Sequence, residues 1–465
     1  MEVTKKENIL GTENIYKLLK MFSIPAMASM IANALYNIID QIFIGHAIGY
    51  LGNAATTVAF PITTIALAIG TLLGVGGSAF AAIKLGEGNN ELAEKTLTMV
   101  SSWLFAIGII IGVLGLVFLE PIMTVFGASS ETMLYSKQFS SVFFAIMPIS
   151  LMLICLANMA RTDGSPKVAM NSLLFGVVVN IIFAPIFLFV FKWGMIGAGL
   201  ATALAQISSV IILIEYFLHS SRMRFKKKYL FACDFTSLKR LSAIGLSSFV
   251  TQTSGMIVQI LLNNSIMYYG DLSKYGGDVA LSAIGIVMKL NMIFIAICIG
   301  IGIGSQPIVG FNRGAQKWDR VKKTYVTALK AATIVTFIGW SCCEFIPSIM
   351  LSAFGANGEN FMEFGVLSLR IFMFFVFTAG FQINTVIYFQ STGQPFKATI
   401  LSSLRLLVLL VPLILILPLK FGLMGILYAG AVADLGSATV IAIFAYRELK
   451  ILDKNIAKMD HITES

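Results

Sequence analysis

Residues 219–240 read HSSRMRFKKKYLFACDFTSLKR, the longest hydrophilic stretch of the chain, and they lie midway along it. Arg222, Arg224, Lys226, Lys227 and Lys228 crowd its first half. On both sides the sequence is almost continuously apolar. Six apolar runs precede it, near residues 17–42, 54–83, 96–118, 139–160, 168–191 and 195–218. Six follow, near 241–268, 279–310, 325–347, 364–389, 398–419 and 423–446. Each approaches or exceeds the roughly 20 residues a helix needs to cross the hydrocarbon core of a bilayer. The basic stretch therefore reads as a linker, and the fold class expected is an all-α polytopic membrane protein. Its twelve transmembrane helices would form two six-helix bundles: residues 1–218, the linker 219–240, residues 241–446, and a tail 447–465.

Composition agrees. The 465 residues are 57% hydrophobic and only 12% charged, with a mean hydropathy of +0.86. A soluble domain carries about 25% charged residues, so this chain is solvated mainly by lipid. The first apolar run shows no cleavage site and is expected to remain as a membrane helix.

The basic residues set the orientation. Of the 33 Lys and Arg, only Lys137, Lys192, Lys274 and Lys420 fall in loops on the side opposite the termini, and Lys289, Arg370 and Arg405 lie within spans. By the positive-inside rule both termini face the cytoplasm across the plasma membrane. The net charge of +10 thus reports topology, not nucleic acid. The linker cations are expected to contact anionic headgroups.

The two halves repeat each other at an offset of about 228 residues. Gly74, Gly76, Gly86, Lys95 and Thr96 match Gly302, Gly304, Gly314, Lys323 and Thr324; Phe126-Gly127-Ala128 matches Phe354-Gly355-Ala356. Thr162-Asp163-Gly164-Ser165-Pro166 matches Ser391-Thr392-Gly393-Gln394-Pro395 with a slip of one, and Lys192, Gly194 and Gly197 match Lys420, Gly422 and Gly425. Six helices per half is an even number, so the repeat is parallel, related by an axis along the membrane normal. Two such bundles about a central cavity suit alternating access. The pairs Gly70/Gly74 and Gly300/Gly304 have the small-xxx-small spacing of close helix packing.

Several chemistries are excluded. No GxxxxGK[ST] loop exists, so the chain has no P-loop for ATP hydrolysis. Cys155, Cys233, Cys298, Cys342 and Cys343 show no metal-ligand spacing and read as small packing residues; His46, His219 and His461 are scattered. No convergent set of His, Asp, Glu, Ser and Lys at common depth suggests an intramembrane enzyme. No cofactor is expected beyond H+ or Na+ as a coupling ion.

Leu35-Tyr36-Asn37-Ile38-Ile39-Asp40 closing the first span, Gly310-Phe311-Asn312-Arg313-Gly314-Ala315 after the eighth, and Asn180 followed by Ala184-Pro185 in the fifth together resemble the multidrug and toxic compound extrusion (MATE) family, in its bacterial MepA-type branch. The resemblance covers essentially the whole chain. It implies a V-shaped pair of bundles, acting as a monomer, that exchanges H+ or Na+ for drugs, often organic cations. The alternative is a flippase for lipid-linked precursors. That would need a basic cavity, and the first-half spans carry no mid-membrane Lys or Arg.

Asp40 is the leading candidate for ion coupling. An acid within a membrane helix costs about 3 kcal/mol on insertion scales, and this one is flanked by Ile38, Ile39, Ile42 and Phe43. Asn180 lies about 12 residues into the fifth span, roughly 18 Å at the helical rise, and Thr202 about 7 residues into the sixth from the other side, which puts both near the depth of Asp40. The resemblance implies that Asp40, Asn180 and Thr202 form one polar network, with Tyr36 nearby, as the ion-coupling or Na+ site. Many relatives carry a second Asp where this chain has Ala184, which favours H+ over Na+. Candidate substrate-binding residues are Tyr36, Asn37, Asp40 and Asn158 in the first bundle and Gln252, Gln259, Asn263, Gln382 and Asn384 in the second, with Asn264 beside them. Equal depth permits an ion pair between Lys289 and Asp434. The remaining second-half spans read as largely neutral.

Overall fold

The computed structural model describes residues 9–232, 234–352 and 359–464. Among the described residues the secondary structure is helical throughout, with no strand. Ten helices among them are long and apolar enough to cross a membrane, and two bent pairs raise the number to twelve. In chain order the spans are Ile15–Ile48, Leu51–Gly86, Asn90–Val117, the bent fourth, Pro166–Val190 and Gly194–Ser220. Then come Phe235–Asp271, Val279–Gly314, Trp318–Phe345, the bent tenth, Pro395–Phe421 and Leu423–Met459.

The two bends fall at equivalent places in the repeat. The fourth span joins Met133–Ala145 to Met147–Thr162 at 54°, and the tenth joins Glu359–Phe372 to Val376–Ser391 at 42°. Each was expected as a single span. In the fourth, Pro148 sits at the start of the second segment. Having no amide hydrogen, it cannot continue the ladder from the preceding turn. The third span fills the notch: a Cβ on Gly108 would lie 2.4 Å from Pro148 Cα.

The repeated glycines have physical reasons. Gly164 and Gly393, in the matched five-residue motifs, both have positive φ (93° and 68°), as do Gly194 and Gly422 (58° and 55°). Side chains are disfavoured in that region. Phe354-Gly355-Ala356 lies outside the described residues. Gly70 and Gly74 pack on Ile154 and Cys155 of the fourth span, whereas Gly300 and Gly304 pack on Met27 and Ser23 of the first. One small-residue pair closes its own bundle, and the other receives a helix of the opposite half.

Each half has its own core. Leu97, Met99, Leu104, Leu151, Leu156 and Leu213 are buried in the first; Leu262, Ile284, Phe364, Leu369 and Ile426 are buried in the second. The closest approaches between halves lie toward the face from which both termini emerge, here termed the terminal face. A Cβ on Gly76 would lie 2.0 Å from Leu241 O, and one on Gly245 would lie 1.8 Å from Leu72 O. Gly86 meets Phe311 O, and Gly314 meets Ile83 O, each at 2.0 Å. Toward the opposite face, Leu35, Asn37 and Ile42 of the first span and Ile257, Ile260 and Asn263 of the seventh are exposed.

The basic stretch is partly helix. The sixth span runs to Ser220 and the seventh starts at Phe235, so the connecting segment is 221–234. Its backbone is tied to the third span: Arg224 N donates to Glu94 (3.1 Å), Lys226 N to Thr98 (3.1 Å) and Phe231 N to Ser102 (3.1 Å). Trp103 Nε1 donates back to Ala232 O at 3.2 Å. Lys228 pairs with Glu91 and Lys226 with Glu94. The helix begun by the twelfth span continues to Glu464, so the expected tail extends that helix.

Candidate functional site

Asp40 stands three-quarters of the way along the first span and is 8% exposed. Asn180 of the fifth span (1% exposed) and Thr202 of the sixth (4%) are buried with it in the first bundle. The sequence forms this pocket locally. Asn180 precedes Pro185, after which the helix widens into a π-helical turn over Ile186–Val190. Such turns often occur at functional sites. Thr202 Oγ1 donates to Ala198 O at 3.3 Å. With that proton committed, Thr202 accepts from Tyr36 O–H at 3.0 Å and from Asn180 Nδ2 at 3.4 Å.

Two acceptors remain unpaired. Asp40 Oδ1 and Asn180 Oδ1 are buried and have no hydrogen-bond partner. A buried polar atom without a partner costs about 1–3 kcal/mol, more when charged. The first bundle thus holds a carboxylate oxygen and an amide oxygen able to take a proton or cation. Ala184, where the resemblance led to comparison with a second acid, is buried in an apolar cluster with Phe187 and Ala201, packed by Phe43, Ile186 and Leu200. No second charged oxygen is available there. The described residues contain no group of three or more His, Cys, Asp or Glu fit to hold a metal ion.

The other first-half candidates differ in setting. Asn37 is exposed and donates to Asn33 O at 2.7 Å. Asn158 is 8% exposed, donates to Ile154 O at 2.8 Å and accepts from Arg161 Nη1 at 3.1 Å. Arg161 is itself 4% exposed, and its Nη2 has no partner. This buried guanidinium at the end of the fourth span escaped the sequence reading because it borders a polar turn.

In the second half, Gln259 Nε2 donates to Asn263 Oδ1 at 2.9 Å on the seventh span; Asn263 and Asn264 are exposed and Gln252 is half-buried. Gln382 and Asn384 are buried between helices. Asn384 Nδ2 donates to Cys298 O (3.3 Å) and Gly380 O (2.9 Å). Gln382 Nε2 donates to Thr378 (2.9 Å) and to Asp434 O (3.2 Å), and its Oε1 accepts from Ser437 at 2.6 Å. The Gln382 amide is thus fully engaged, whereas Asn384 Oδ1 is buried without a partner.

Asp434 does not pair with Lys289, which is exposed. Its partner is Arg405 Nε, in the π-helical segment Leu404–Leu410 of the eleventh span. The expectation of a largely neutral second half is corrected accordingly. Arg405 was visible as one of three cations within spans, but counting along the chain put Lys289, not Arg405, at the depth of Asp434. Depth leaves open which way each helix turns its side chains.

Known proteins share this architecture. The family model MatE matches residues 25–186 and again 243–416, once per half. The chain is 24% identical over 432 residues to the multidrug export protein MepA of Staphylococcus aureus (strain NCTC 8325 / PS 47), covering 93% of this chain and 94% of that protein. It is similar to the solved structure of the MATE multidrug transporter DinF-BH in a ligand complex, at 31% identity and a TM-score of 0.87, over 95% of this chain and 97% of that one. A structure described as the outward-facing conformation of a multidrug resistance MATE family transporter matches in fold, with a TM-score of 0.88 at 22% identity over 96% and 98% of the two chains.

Proposed function

The chain belongs to the MatE family of membrane transporters, and on that premise we propose that it is a multidrug efflux antiporter of the cytoplasmic membrane, exchanging H+ for organic, often cationic, compounds. The observation that carries this is Asp40, a carboxylate within the first span that is buried with Oδ1 unpaired, in the bundle that also buries the bonded set Tyr36, Thr202 and Asn180. Both termini lie in the cytoplasm, as the distribution of Lys and Arg argues. The close backbone approaches between the bundles then lie at the inner side.

Asp40 is the exchange point. Facing outward it takes a proton, loses its charge and lets a bound cation go. Facing inward it gives the proton up, and the carboxylate recovers its attraction for a cationic drug. One proton exchanged for one singly charged drug moves no net charge, so the potential, worth about 2.3 kcal/mol per charge per 100 mV, cancels and the pH gradient drives the cycle. Na+ is the weaker candidate. It would have one carboxylate, the Asn180 amide oxygen and the Thr202 and Tyr36 hydroxyls, whereas hard cations favour several charged oxygens.

The test is reconstitution into liposomes with a pH gradient or a Na+ gradient imposed separately, following efflux of a fluorescent cationic dye. A pH gradient should drive efflux in the wild type and fail in Asp40→Asn at equal protein incorporation. Export by Asp40→Asn at the wild-type rate would dismiss Asp40 as the coupling residue, and efflux driven by Na+ alone would dismiss the proton.

A further inference from the structure

We propose that Asn312, with Lys317 and Arg320, positions the transport cycle by clamping the short N-terminal helix Ile9–Thr12 across the terminal face, a closure that must release before that face can open. The proposal rests on the alternating-access reading and adds the residues that hold one gate.

The clamp is assembled on carbonyl oxygens. The last carbonyls of a helix have no partner within it, and Ile9–Thr12 ends with its own directed at the second bundle. Asn312 Nδ2 donates to Leu10 O at 2.8 Å, Lys317 Nζ to Gly11 O at 2.9 Å, and Arg320 Nη2 to Leu10 O at 3.1 Å and Glu13 O at 2.7 Å. Arg320 Nε also holds Asn312 Oδ1 at 3.0 Å. Asn312 is 0% exposed and also ties to its own helix at Ile308 O, 2.8 Å. Cations at the carbonyl end of a helix are the favourable polarity. Gly11 packs on the Phe311 ring, which a Cβ at 2.8 Å would have to displace.

The clamped segment is continuous with the first span, which divides its loyalties. Its inner turns, Ile15, Leu18, Leu19 and Phe22, are buried against Cys298, Ile301, Ile308, Ala328 and Ala332 of the eighth and ninth spans. Its outer turns carry Tyr36 and Asp40 into the first bundle. Opening the terminal face by parting the bundles must therefore strip residues 9–27 from the second bundle or bend the first span. The polar clamp is the part of that contact that resists in a directional way. Loosening it should favour the state open at the terminal face.

The experiment uses the full chain in membrane vesicles of both orientations, with the five cysteines replaced by serine and one reporter cysteine added. Ser23→Cys reports the closed face; Ser23 is 5% exposed against Gly304. Asn264→Cys, exposed on the seventh span, reports the opposite face. With Asn312→Ala or Arg320→Gln, labelling of Ser23→Cys by a membrane-impermeant maleimide should rise about tenfold from the terminal face, while Asn264→Cys labelling from the other face falls. Arg320→Lys, which keeps the cation, should fall between wild type and Arg320→Gln. Unchanged labelling at Ser23→Cys, or a rise at both reporters together, overturns the clamp. The opposed labelling pattern without gradient-driven dye flux in any variant upholds the clamp and overturns the efflux reading. Dye flux with unchanged labelling overturns the clamp alone.

Discussion

Asp434 and Asp40 are both buried carboxylates within spans, yet only one has a charge partner. Arg405 holds Asp434 through Nε, and Gln382 and Ser437 bond to Asp434's own carbonyl. Removing one member of such a pair leaves the other charge buried alone, at a cost of about 3–5 kcal/mol. Asp434→Asn should therefore lower the thermal midpoint in detergent markedly, and the double variant Arg405→Met/Asp434→Leu should recover most of the loss. Asp40 has no such partner, so Asp40→Asn should leave the midpoint nearly unchanged while abolishing coupled export. Tyr36→Phe removes the donor to Thr202 and should cost about 1 kcal/mol, seen as a several-fold fall in dye efflux without loss of protein. Asp40 was legible in the sequence because an acid among isoleucines is conspicuous. The Arg405 partnership was not, because two mid-span charges on different helices reveal depth but not azimuth.

The linker shows the same contrast for elements. Its five cations are exposed, while the backbone of residues 224–232 lies along the third span, bonded to Glu94, Thr98 and Ser102. The strap ends at Asp234, which caps the seventh span through Ser237 N (3.0 Å) and pairs with Lys95 at 2.6 Å. The Lys95 hydrogen bond, then the Ser237 amide, hold the Asp234 carboxyl down at about 2, against burial, which pushes it up. A depressed carboxylate pKa contributes stability above the unfolded value of about 3.9, and that stability is lost as pH falls through the folded value. Attachment of the strap should weaken between about pH 4 and pH 2, read as pepsin cleavage within 221–234. Because the pair is partly exposed, the effect is modest. At neutral pH, Lys95→Ala should make the Arg222–Lys228 segment cleavable by trypsin about fivefold faster, at the level expected from roughly 1 kcal/mol. The existence of a connecting segment was readable from polarity alone. Its seat was not, because Glu91, Glu94, Thr98 and Ser102 face it only once the third span is helical.

At the scale of the whole molecule, the two bundles touch where glycines let backbones meet. Gly314 faces Ile83 O and Gly76 faces Leu241 O at distances no side chain can share. Gly314→Val or Gly76→Val should wedge the terminal face apart, abolishing gradient-driven efflux while each bundle keeps its own core. Far-ultraviolet circular dichroism at wild-type helicity, with efflux lost, would establish this; wild-type efflux by either variant would count against that contact as part of the cycle.

The amino-acid sequence by itself determined the spans, the duplication and the acid within the first span. Hydropathy, charge and residue spacing are properties along one dimension, and a bilayer imposes one dimension on them. Only the tertiary structure decided which helices face one another: that Asp434 meets Arg405, that Gln382 and Asn384 point into helix contacts, and that the first span belongs to one bundle at Asp40 and to the other at Phe22. These depend on the rotation of each helix about its axis, which packing sets and which no count along the chain contains.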